Sequence, residues 1–132
     1  MTPFIRHMLL CDDVRPDPTR PRKVVIYGLV STVRPTASGS YPLTTPLCVY
    51  LAMTSGRGHG TAQITVAAAD TGERVYSGVP RDLAFDPDPL KVLGVVFRIP
   101  ACTLPRPGLY WVELRYNGAV LAHQPLTAEE PG

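Results

Sequence analysis

The stretch Pro107-Gly108-Leu109-Tyr110-Trp111-Val112-Glu113-Leu114-Arg115-Tyr116-Asn117-Gly118-Ala119-Val120-Leu121-Ala122-His123-Gln124 reads as two β-strands around a tight turn. A type I′ turn needs φ > 0 at both central residues, which Asn tolerates and Gly adopts freely. A two-residue loop at Asn117-Gly118 predicts pairing of Tyr116 with Ala119, Leu114 with Leu121 and Val112 with His123. That register sends Trp111, Glu113 and Arg115 to one face, together with Val120 and Gln124. Val112, Leu114 and His123 go to the other. One of the neighbouring rings Tyr110 and Trp111 must be core and the other surface.

The rest of the chain supports the same period. Its 132 residues include 15 Pro and 11 Gly, the composition of a turn-rich β domain rather than a helical one. Period-two apolar runs predict strands over 4–11, 22–33, 46–54, 61–70, 73–76 and 90–99 before the hairpin. Residues 22–33 are apolar on both faces, so that strand is expected to be covered on both sides or to change sheets. Gly28 in its middle suggests a bulge or a close approach of backbone. Residues 34–45 and 78–89 read as long loops, and 127–132 as a frayed tail. The fold expected is one all-β domain over 1–126, a two-sheet antiparallel sandwich of the immunoglobulin or fibronectin kind with about eight strands. A small closed β-barrel is the alternative.

Two segments carry a resemblance. The hairpin pattern Pro107-Gly108-x-Tyr110-x-Val112-x-Leu114-x-x-Asn117-Gly118-x-x-Leu121 is similar to the terminal hairpin of many bacterial immunoglobulin-like sandwiches. Leu10-Cys11-Asp12-Asp13-Val14-Arg15, with Lys23 and Ile26-Tyr27-Gly28, resembles the start of an uncharacterised family of small bacterial proteins, a domain of unknown function. Here a proline-rich segment replaces that family's usual short turn after Asp-Val-Arg. The resemblance implies a β-sandwich and no activity.

Composition limits the partners. A formal charge of +2 gives no electrostatic footprint for nucleic acid. No run is long and apolar enough for a membrane span or a signal peptide. Cys11, Cys48 and Cys102 lie in or beside apolar runs, and we read them as reduced and structural, which points to the cytoplasm.

Chemistry is sparse. Asp12, Asp13 and Asp17 in one connection and Asp82, Asp86 and Asp88 in another would suit Ca²⁺ only if the two segments met. Asp beside Pro is also ordinary turn chemistry. His7, His59 and His123 share no metal-ligand spacing, and no nucleophile-base arrangement is visible, so no catalytic residue, metal or cofactor is assigned. Ser55-Gly56-Arg57-Gly58-His59-Gly60 lacks the Gly-Lys-Ser/Thr ending of a phosphate loop and reads as a mobile hairpin loop. The remaining signal is Trp111. With Tyr50, Tyr27 and Arg115 it would form an aromatic patch on an outer sheet face. The reading is a non-enzymatic module that self-associates or binds a protein through a sheet face or edge. A small-ligand or glycan site at loops 34–45 and 78–89 is second. An enzyme built on Asp12, Asp13, Asp86 and Asp88 is third.

Overall fold

The computed structural model describes residues 2–36 and 39–131. Ten strands run in order: β1 (Phe4–Pro16), β2 (Val24–Leu29), β3 (Thr32–Val33), β4 (Leu43–Thr54), β5 (His59–Ala68), β6 (Arg74–Ser77), β7 (Arg81–Ala84), β8 (Leu93–Leu104), β9 (Gly108–Tyr116) and β10 (Ala119–Ala128). They form two open sheets, so the fold is the sandwich and not the barrel. One sheet has the order β2-β1-β4-β8. The other runs β3-β10-β9-β5-β6, with β7 also paired to β5. Every pairing is antiparallel except β3 with β10.

Period-two alternation places the core. Leu47, Val49, Leu51 and Met53 of β4 and Val95, Phe97 and Ile99 of β8 face inward from one sheet. Ile64 and Val66 of β5, Tyr110, Val112 and Leu114 of β9, and Leu126 of β10 meet them from the other. The Tyr110 phenol is fully buried, donates to Arg106 C=O at 2.6 Å and accepts from Arg106 N–H, so its hydroxyl is satisfied. Tyr110 is therefore the core ring of the hairpin, and Trp111 the outer one.

Several expectations change. β1 continues through Asp12-Asp13-Val14-Arg15 to Pro16, because the Asp13 carboxylate is held within the strand by Val14 N–H, Arg15 and Arg98. The turn is made instead by Asp17, which accepts from Thr19 N–H and Arg20 N–H. The 22–33 run does change sheets. β2 borders the four-stranded sheet, and β3 crosses to pair with the end of β10. Gly28 (φ 63) has the close approach expected of it, but to the Asp12 side chain and not to backbone. Part of the 78–89 segment is strand, since β7 pairs with the start of β5. Residues 127 and 128 are paired, Glu129 N–H donates to Val33 C=O, and Arg34 holds the Glu129 carboxylate.

The hairpin turn is as expected, with Asn117 at φ 50 and Gly118 at φ 87. Its register is not. A bulge between Val120 and Ala122 makes Leu121 an extra residue, so Ala122 opposes Leu114 and His123 opposes Glu113. His123 thus moves to the outer face beside Trp111. Gln124 leaves that face and reaches across the sandwich to donate to Met8 C=O at 2.9 Å.

Leu114 is fully buried between the sheets, whereas Leu109 on the same strand is exposed. Leu114→Ala should lower unfolding free energy in urea by about 2–5 kcal/mol. Leu109→Ala should change it by no more than about 0.5 kcal/mol.

Candidate functional site

The outer face of the six-stranded sheet is mostly polar. Trp111 is half-buried there against the His123 ring, with centroids 4.4 Å apart. Arg115 donates to Thr65 Oγ1 and Glu113 Oε1, and Thr65 donates to Glu113, so the charges beside Trp111 are internally satisfied. Tyr50 and Tyr27 belong to β4 and β2 of the opposite sheet. The expected joint patch of Trp111, Arg115, Tyr50 and Tyr27 is therefore not assembled. Strand order is a long-range property, and alternation along single strands carries no sign of it.

The four-stranded sheet has the less usual outer side. Cys11 pairs with Cys48, Leu9 with Tyr50, and Tyr50 with Val96, and none of these joins the central core. Cys11, Cys48 and Val14 are buried in a second apolar cluster, with Ile26, Tyr50 and Val96 packed against it. Strict alternation would put Val14 and Cys11 on opposite faces. Gly28, at φ 63, lies opposite Asp12 and between the two positions, where the alternation departs from strict period two. The Cys11 thiol donates to Cys48 C=O at 3.6 Å. Burial, then the neighbouring Cys48, pushes its pKa up to about 12. Burial also raises Cys48, and takes Cys102 to about 11. All three thiols are buried, which disfavours the thiolate.

A charged strap borders this cluster. Arg98 of β8 donates to the Asp13 carboxylate and, at 2.8 Å, to Val14 C=O. Arg15 donates to the other Asp13 oxygen at 2.8 Å and lays its guanidinium over the Tyr27 ring, 4.8 Å from its centroid. Hydrogen bonds from Arg15 and then Arg98 hold the Asp13 carboxyl down at about 2. Beyond the strap, β2 exposes Val24, Tyr27 (44%) and Leu29 (72%), and no residue of the strand is charged. The sequence allows 22–33 to be covered on both sides or to change sheets; the second holds, and its first part lies at a sheet border, which neither reading specified. The available signal was the proline-rich turn before it, which starts a new strand at the sheet's border.

The acidic candidates are not brought together. Asp12, Asp13 and Asp17 lie where β1 meets β2. Asp86 and Asp88 sit at the far end of the sandwich, where Ser55 N–H donates to Pro89 C=O. Asp86 and Asp88 each cap a backbone N–H two residues on, and Asp82 accepts from Thr61 Oγ1. Among the described residues no three His, Cys, Asp or Glu are grouped to hold a metal ion. His7 and His123 line one open groove between β1 and β10, while His59 lies on β5. Loop 34–45 (37 and 38 lie outside the described residues) adjoins the end of β10, and residues 85–89 leave at the opposite end. The two long loops therefore do not form one pocket. Within Ser55–Gly60, Gly56 and Gly60 are buried, while Ser55, Arg57, Gly58 and His59 are exposed. A Cβ at Gly56 would meet the Phe85 ring at 2.4 Å, and one at Gly60 the Tyr116 hydroxyl at 1.8 Å. No described helix is long and apolar enough to cross a membrane.

Comparison with known proteins identifies a family. A family described as "Family of unknown function (DUF6941)" matches residues 6–129. The chain belongs to this family. The DUF6941 match covers both sheets, including the Asp13 strap, all of β2 and the paired residues after Leu126. No curated protein matches the chain.

Asp13 links acid stability to the strap. Its carboxyl falls from an ordinary 3.8 to about 2 in the folded protein, so the unfolded chain binds the proton more readily. The stabilisation is present above about pH 4 and lost as pH falls towards 2. Asp13→Asn should therefore flatten the melting temperature against pH over that window relative to wild type. An unchanged slope would show that the strap does not form in solution.

Proposed function

We propose that this DUF6941 protein is a non-enzymatic interaction module that binds a polypeptide through the β2 side of its four-stranded sheet. The observation that carries this reading is an exposed border strand without charge, Val24–Leu29, next to an outer face that has its own apolar cluster. Monomeric domains seldom leave such a strand open, because its apolar side chains and unpaired backbone favour association. Tyr27 supplies the kind of anchor on which binding energy concentrates, a large ring already aligned by Arg15. The Trp111 face supports binding less well, since its ring is covered by His123 and its charges are paired among themselves. Three free, buried cysteines suit a reducing compartment, and we place the protein in the cytoplasm.

A photo-crosslinking residue, p-benzoylphenylalanine, tests the surface when placed at Tyr27 or, as a control, at Trp111 in cells that make the protein. The reading expects a defined polypeptide adduct from position 27 and none from position 111. No adduct at position 27, or equal adducts at both, would contradict it.

A further inference from the structure

An antiparallel strand alternately points its N–H and C=O groups towards one neighbour and then the other. In the β1–β2 ribbon, Asp17 N–H donates to Lys23 C=O, so Lys23 and then Val25 face β1. Val24 and Ile26, between and beyond them, turn outward. An independent contact agrees. Val14, the partner of Ile26, also points its C=O away from β2, where Arg98 takes it. The N–H and C=O of Val24 and of Ile26 therefore face out of the sheet, on its terminal strand, and no backbone partner meets them among the described residues.

The other borders are defended. β8 contains Pro100, and Arg81 of β7 donates to its Val96 C=O at 2.6 Å. The first half of β1 carries a register shift between Ile5 and His7, and Gln124 occupies Met8 C=O. β10 has its bulge at Leu121 and Pro125 within the strand. β6 and β7 have four residues each and β3 has two, too short to template pairing. Between Val24 and Tyr27, β2 has no proline, no charge and no register shift.

We infer that β2 pairs with β2 of a second copy, antiparallel about a two-fold axis through Val25, joining the two four-stranded sheets into one. The inference rests on the reading of this edge as a polypeptide-binding surface and names its occupant. In this register Val24 opposes the second copy's Ile26, and Ile26 its Val24. All the outward groups on both edges are then used in two reciprocal pairs. An axis at Ile26 would call on Gly28, which is at φ 63, and one at Val24 would call on Arg22 in the turn. β-branched residues face each other across the join, a favourable cross-strand combination. Lys23 falls opposite the second copy's Tyr27, so no like charges are directly opposed. So short a join buries less than the roughly 1,200 Å² of a standard stable complex, and the dimer is reversible.

Light scattering from micromolar to millimolar protein should show the mass rising about twofold in the wild type, as mass action requires. Val24→Pro removes an outward donor, and Val24→Lys adds charge to the edge without touching the backbone. Both should stay monomeric with cooperative melting retained. Under mild oxidation Val25→Cys should form a disulfide dimer, since residues on the axis in a non-hydrogen-bonded pair lie within disulfide reach. Leu29→Cys, more exposed but off the axis, should remain monomeric. A wild type that is monomeric throughout, or Val25→Cys that links no faster than Leu29→Cys, overturns the inference. If that happens while position 27 still crosslinks to a different polypeptide, the interaction reading stands and only the second copy is refuted. With no adduct either, both fail.

Discussion

A strand at the border of a β-sheet satisfies its backbone on one side only, and in this sandwich that constraint decides which surface is open to a partner. The inner faces close well, with Leu51, Met53, Ile64, Val112, Leu114 and Leu126 all buried between the two sheets. Closing a core does nothing for the outward N–H and C=O groups along the borders. At β8, β10 and the start of β1, prolines, bulges and side chains reaching across from the other sheet deal with them. The β2 border is left without such a device, and it is also the border where apolar side chains are most exposed.

Among the described residues, this corner also carries a buried apolar cluster separate from the main core. Val14 is buried there with Cys11 and Cys48, and Ile26 of β2 packs against them. The Arg98–Asp13–Arg15–Tyr27 strap ties that ribbon to β8 across the sheet. These ion pairs are largely exposed, so their value is in orientation more than in stability.

How much of this was legible from sequence follows from the range of the interactions involved. Period-two alternation in 46–54 and 90–99 and the Asn117-Gly118 turn are local, and they located the core faces and the hairpin correctly. The Leu121 bulge left no local trace, because one extra residue in an otherwise apolar run looks like continued alternation. Missing it reversed the expected faces of His123 and Gln124. Tyr27 and Tyr50 belong to the sheet opposite Trp111, and a ring's outward direction along its own strand says nothing about which sheet carries it. The acidic residues looked like a possible site only while the distance between the ends of the sandwich was unknown. The apolar run 22–33 fits a strand covered on both sides as well as one that changes sheets, and composition does not say which part of it lies at a border; that is what makes the exposure of β2 informative.

Hydrogen exchange at single-amide resolution, measured at rising protein concentration, addresses the central claim most directly. The Val24 and Ile26 amides should gain protection with concentration, while the Val25 amide, already facing β1, should not change. Exchange at Val24 and Ile26 that is independent of concentration would contradict the pairing of two copies at this edge.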